Sequence, residues 1–294
     1  MSTEPPALAK PFRHPSYWSV FLTFARNSLV RDMTFRANFL IDAATSVTWM
    51  AMNLGFYLLI FRYTREIADW DQYEFFAFLA TTMIVNSLVQ SFFMPNCEEL
   101  SELIRTGGLD FALLKPIDTQ FLISLRKIEW SGLSNFAAGI ALLSVSVYQM
   151  THRTDDPLSL GPGSLAFYGF FVLCGVAIMY STMISLAATS IWLGQNRSLY
   201  DFWFYITNFS RYPMEIYEGT WGNPLRFVFT FVLPILLVVN VPARVIAWPF
   251  GADAVKSATT WYLCGFTLLA TVLSFAASRW LFQRALRGYR SASS

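Results

Sequence analysis

Apolar stretches of about 20 residues recur along most of this chain, and a helix of that length, rising about 1.5 Å per residue, matches the roughly 30 Å hydrocarbon core of a bilayer. The clearest covers residues 164–193, inside the longest uncharged run in the sequence. Of the 294 residues, 55% are hydrophobic and 14% are charged, against roughly 25% charged in a soluble domain. A water-soluble fold is excluded on that balance, and the chain is expected to be an all-α integral membrane protein. Three widely spaced cysteines, Cys97, Cys174 and Cys264, suit neither a disulfide framework nor a zinc site. Two histidines, His14 and His152, lie in separate polar segments, which excludes most histidine-based metal and acid–base chemistry.

Residues 1–16 carry Pro5, Pro6, Pro11 and Pro15 with Lys10 and Arg13 and no signal-peptide core, and read as a disordered cytoplasmic tail. Over 17–35, Trp18, Phe21, Leu22, Ala25 and Leu29 recur at helical spacing, with Arg26, Asn27, Arg31 and Asp32 on the other side. That pattern predicts an amphipathic helix lying in the membrane surface. Spans are expected at about 37–61, 73–93, 121–149, 164–193 and 261–286. Arg126, Lys127 and Glu129 keep the start of the third in water or among headgroups, so its lipid-crossing part is nearer 132–148. Between 194 and 250 two readings stand: 226–248 as the fifth span, or 196–212 as that span followed by a re-entrant hairpin broken at Pro234 and Pro242. Either gives six.

With the first helix inside, 14 of the 21 lysines and arginines fall on inner segments and 7 on outer ones. The positive-inside rule then places both termini in the cytoplasm, and the net charge of +2 gives no sign of a nucleic-acid partner. Asp42 and Asp201 lie near the inner ends of their spans, where a headgroup-level role fits better than transport chemistry.

Segment 94–118 is the most informative polar element. Asn96 and Glu99 have the spacing of a capping box, Leu100, Leu103 and Ile104 form an apolar stripe, and Gly107 and Gly108 supply a stop. The expected product is an amphipathic helix standing off the membrane with Glu98, Glu99 and Glu102 toward water. Such a helix can fill a partner's groove or be an ordinary interfacial loop.

Three motifs, GGLDFALLKPI (107–117), FSRYPMEIY (209–217) leading into TFVLPILLVVNVPA (230–243), and a final GYRSA (288–292), together resemble the ABC-2 type membrane subunits of ATP-driven exporters. The resemblance in order and spacing runs over about 18–290. It implies a permease without an ATPase, working as a dimer of identical or related permeases in the inner membrane, with ATP and Mg²⁺ held by a separate ATP-binding cassette subunit. It makes 17–35 the elbow helix and 94–118 the coupling segment, with Glu98, Glu99, Leu100, Glu102, Leu103, Ile104, Arg105, Gly107, Gly108 and Asp110 as candidates for contact with the ATPase. It also favours 196–212 as the fifth span and a re-entrant outer hairpin over about 222–248, with Pro213, Pro234 and Pro242 as gate candidates. No G-x-x-x-x-G-K-[ST] phosphate loop occurs anywhere in the chain. An intramembrane lipid-modifying enzyme would need a nucleophile–base pair or metal ligands at membrane depth, and neither H-E-x-x-H nor G-x-S-x-G is present. An ion-driven secondary transporter would show an internal repeat and central ionisable residues; neither is evident.

Overall fold

A computed structural model describes residues 16–34, 36–153, 158, 160–193, 197–248 and 254–289. The tail expected over 1–16 lies outside these, apart from Ser16. Helix α1 (Tyr17–Thr34) is followed by α2 (Arg36–Phe61), which is apolar all round and has none of its apolar window buried within the chain. A two-stranded antiparallel ribbon, β1 (Glu66–Ile67) and β2 (Trp70–Asp71), turns the chain back through Ala68 and Asp69, both at positive φ (51° and 63°). Positive φ at both loop residues is the turn whose twist matches that of the strands. Next come α3 (Gln72–Phe92), α4 (Met94–Arg105), α5 (Gly108–Leu113), α6 (Thr119–Leu125), α7 (Leu133–Thr151) and α8 (Pro162–Leu193). The chain ends with α9 (Arg197–Asn208), α10 (Gly222–Phe227), α11 (Ile235–Ala247) and α12 (Ala254–Arg287).

The core is built around α3, α8 and α11: α3 packs on α7 and α11, and α8 on α11 and α12. Every residue of α11 is buried within the chain. Pro242 inside α11 has no N–H, so the Val238 carbonyl one turn earlier lacks its helical donor. Gly175 of α8 is what allows that carbonyl to be approached, since a Cβ there would stand 2.5 Å from Val238 O.

Among the described residues, five helices are long and apolar enough to cross a bilayer, or six if the bent pair Gly222–Val232 and Ile235–Ala247 counts as one span. The two arms of that pair meet at 87°, where a π-turn over Val228–Val232 runs into Pro234. The pair is thus one element bent sharply at Pro234, in the place of the expected hairpin, and only one arm, α11, is sheathed by protein.

Two expected spans differ from the observed elements. Segment 121–149 is not one helix: α6 stops at Leu125, and α7 begins after an extended stretch and a short 3₁₀ turn at Trp130–Gly132. Arg126, Lys127 and Glu129 sit in the break, and the apolar helix Trp130–Thr151 starts just beyond them. The fifth span, expected over 196–212, contains only the 12 helical residues of α9. At 1.5 Å each they cover about 18 Å, short of the ~30 Å hydrocarbon core. Two 3₁₀ turns follow α9, Phe209–Arg211 and Met214–Tyr217, with extended Tyr212 and Pro213 between.

Contacts divide the molecule into two ends. At the α1 end, Tyr17 packs on Phe121, Trp192 of α8 lies against Gly288, and α12 reaches α6 through Arg279. At the ribbon end, Trp70 meets Trp248, and Asp71 pairs with Arg153 beyond α7 (2.6 Å).

Candidate functional site

The segment between α3 and α7 supplies the exposed chemistry of the α1 end. Helix α4 continues α3 almost without interruption, and together they run 34 residues. At about 1.5 Å per residue that is roughly 51 Å, so α4 projects well past a ~30 Å hydrocarbon layer. Its inward face carries Leu100, which is fully buried, with Leu103 and Ile104 packed on the core. Glu98, Glu102 and Arg105 are exposed, and Arg105 grips Glu102 one turn back through Nε (2.9 Å) and Nη2 (2.5 Å).

Asn96 is not a helix cap. The helix begins at Met94 with Pro95 in its first turn, and Asn96 lies inside it, buried. Its amide donates to Phe92 O (2.9 Å) and Lys127 O (2.7 Å) and accepts from Lys127 N (2.8 Å). Glu99 likewise does not face water: it turns inward onto Lys127 (2.9 Å) and lies 4.0 Å from Arg126. The capping arrangement does occur at the start of α3, where Glu74 Oε2 accepts from Asp71 N (3.0 Å).

These contacts serve the break at 126–130, whose extended backbone would otherwise be unpaired. Ile128 N donates to Ser28 Oγ (3.1 Å), Glu129 N to Ser91 O (2.9 Å) and Trp130 N to Asp32 Oδ2 (3.0 Å). Trp130 Nε1 reaches Ala25 O (3.2 Å). Helix α1 is therefore stapled to the loop that leads out of α6. Burial, with the negative charges of Glu98 and Asp32 nearby, raises the Glu129 carboxyl above its ordinary pKa.

Gly107, at φ +70°, turns the chain between α4 and α5. Gly108 sits where a Cβ would meet Leu103 Cδ2 at 2.9 Å, and Asp110 lies beside the Tyr289 hydroxyl. The first and last of the three sequence motifs thus meet at this end. Helix α5 and its end, inside the expected coupling segment, expose three apolar side chains that are not among the candidate residues read from the sequence: Phe111, Leu113 and Leu114 are 73%, 40% and 81% exposed. A cleft of about 220 Å³ opens beside them, lined by Asn96, Glu99, Leu103, Phe111, Lys115 and Arg126 among others. The signal was present in the sequence, as a short apolar run (109–114) between a Gly-Gly stop and Lys115-Pro116, too short to be a span and too apolar for a plain loop.

At the ribbon end the middle motif closes on itself. Met214 N donates to Asn240 Oδ1 (2.8 Å), and Asn240 Nδ2 donates to Leu236 O (2.8 Å). Arg244 of α11 pairs with Glu215, with side chains only 4% and 11% exposed. Glu215 also accepts from Trp70 Nε1 (3.2 Å), while the Arg244 guanidinium lies 4.9 Å from the centre of the Trp248 ring. Neither member of this pair was singled out from the sequence, although Arg244 is the one charge in the apolar run 227–248. Of the proline candidates, Pro213 and Pro242 are buried and Pro234 is half-buried at the turn of the hairpin. The exposed surface of the hairpin belongs to its other limb, at Leu225, Phe227, Phe231 and Val232. Asp42 and Asp201 are both exposed. Among the described residues, no three of His, Cys, Asp and Glu are grouped so as to hold a metal ion.

A sequence model of the family described as ABC-2 family transporter protein matches residues 47–293. No curated protein and no solved structure matches the chain.

Proposed function

The chain belongs to the ABC-2 family of transporter proteins, membrane permeases of ATP-binding cassette transporters, and from that premise we propose that it is an exporter subunit seating a separate ATPase on α4 and α5. The observation that carries this reading is the exposed apolar pair Phe111 and Leu114, in the segment 94–118 that follows the membrane-length helix α3 and also exposes Glu98, Glu102, Arg105 and Lys115. A few large apolar side chains among charged ones is the composition of a protein–protein contact. The 14-to-7 distribution of basic residues supports a cytoplasmic location for this face and for both termini.

In this reading ATP and Mg²⁺ are held by the partner, and closure of a pair of ATPase subunits displaces α4 and α5. The permease converts that displacement into a shift between inward-open and outward-open populations, through contacts that differ between the two states. The lipid-length face of α2, exposed at Leu40, Ile41, Trp49, Met52 and Phe56, is where a second copy or a related permease completes the pathway.

Co-purification tests the docking face. An affinity-tagged chain extracted in mild detergent is expected to bring down an ATP-binding cassette subunit, and Phe111→Asp or Leu114→Asp to release it. A buried anchor of this kind is worth about 2 kcal/mol, or roughly 30-fold in Kd. Retention of the ATPase by both variants would refute the assignment of this face.

A further inference from the structure

Helix α12 touches the docking segment near its C-terminal end and the bent pair before Pro234 about midway along it. Asp118, between α5 and α6, is gripped by Arg279 of α12 through two hydrogen bonds, Nη1 to Oδ1 (2.9 Å) and Nη2 to Oδ2. Arg279 Nη1 also donates to Gln120 Oε1 (3.0 Å), and Gln120 Nε2 donates to the Tyr180 hydroxyl of α8 (3.0 Å). The Ser124 and Tyr180 hydroxyls lie 2.8 Å apart, which fixes α6 against α8 as well. Two-pronged arginine–carboxylate pairs fix direction as well as distance. Tyr289, just past α12, stands beside Asp110 of α5, a second tie to the same segment.

Helix α12 spans 34 residues with no proline, and from Arg279 back to its start at Ala254 it runs unbroken for about 38 Å. Thirteen positions before Arg279, about 20 Å along the axis, its Phe266 ring lies 5.0 Å from that of Phe231. Phe231 belongs to the π-turn that leads into Pro234, in the exposed limb of the hairpin. Both contacts lie on one unbroken helix and so move as one piece, whereas the α1 attachment runs through an extended loop.

We propose that α12 is the connecting rod of the transporter: the Asp118–Arg279 clasp takes up the movement of the ATPase-bearing segment, and the Phe266–Phe231 contact delivers it to the hairpin. The inference rests on the docking face proposed above.

The test uses the permease–ATPase complex in proteoliposomes. Cysteines replace Phe231 and Phe266, the three native cysteines are changed to alanine, and disulfide yield across the pair is measured with and without MgATP. With the native clasp, MgATP is expected to change the yield. Asp118→Asn, whose amide still caps α6, and Arg279→Gln are expected to keep the ATPase bound and hydrolysing while losing the nucleotide-dependent change. Arg279→Lys keeps the charge without the fork and is expected to lose part of it; it also serves if the stronger variants do not fold. A nucleotide-dependent change that persists in full in these variants, or that is absent with the native clasp, overturns the proposal. An ATPase that never co-purifies sinks the docking face and the rod together, whereas a bound, active ATPase with an indifferent clasp sinks only the rod.

Discussion

Removing Glu215 isolates the energetics of the hairpin. In Glu215→Ala, Arg244 stays in a site where its side chain is 4% exposed, without the carboxylate it pairs with, and Trp70 Nε1 loses its acceptor. Breaking one side of a buried ion pair costs about 3–5 kcal/mol, and an orphaned indole donor about 1–3 kcal/mol. The two share one carboxylate and do not add. The guanidinium lies over Trp248 in both forms, so that contact drops out of the difference. A net loss of about 3–5 kcal/mol follows, on the order of 10 °C in Tm. Cys97, Cys174 and Cys264 are free and buried, so a thiol-reactive fluorophore added during a thermal ramp in detergent reports the unfolding. The control is the double variant Glu215→Leu with Arg244→Met, in which no charge is stranded; it is expected to melt at or above the parent. If Glu215→Ala melts like an ordinary surface variant, within about 0.5 kcal/mol of the parent, or if the double variant is no better than the single, the pair does not anchor the hairpin.

Gly175→Ala is expected to destabilise by about 1–3 kcal/mol, because its Cβ would meet the Val238 backbone carbonyl, which cannot rotate away as a side chain could. Gly169→Ala on the same helix has nothing within 4 Å of the added methyl and is expected to be neutral or stabilising in the same thermal ramp. The Arg279 guanidinium holds the Asp118 carboxyl below the ordinary carboxylate range. Its stabilisation is therefore complete above the unfolded value of about 3.9 and is lost as pH falls through the lower folded value; Asp118→Asn removes that part of the acid slope, read by tryptophan fluorescence. Glu129 has the opposite sign, because burial and its acidic neighbours raise it. It is most favourable below the unfolded value of about 4.3 and becomes unfavourable as pH rises through the folded one. Glu129→Gln should accordingly raise Tm at pH 7.5 and leave it unchanged at pH 4.

The membrane spans were legible because they rest on length and apolarity, which a 164–193 run displays without any knowledge of its neighbours. The Pro234 break was legible too, because a missing N–H is a local fact. The helix break at 126–130 was only half visible. Its charges were plain, but the groups that satisfy its backbone, Ser28, Asp32, Ser91 and Asn96, come from segments about 30 to 100 residues away. Asn96 and Glu99 misled for the same reason: their spacing is that of a local cap, while their partners, Lys127 and Arg126, are distant in sequence. The Glu215–Arg244 pair lay hidden among outer charges because nothing local shows that two elements 29 positions apart fold face to face. On α5, by contrast, Phe111 and Leu114 could have been found, since an apolar tip has no local reason to be there.

The central claim, that α4 and α5 form the seat of an ATPase, is tested most directly by photo-crosslinking. A photoreactive amino acid at position 114, where Leu114 is 81% exposed, is compared with one at position 232, where Val232 is 64% exposed on the limb that precedes Pro234. In membranes, position 114 is predicted to give a covalent adduct with an ATP-binding cassette subunit whose yield changes with MgATP, and position 232 none. An adduct to the ATPase from position 232, or only lipid adducts from position 114, would contradict the account.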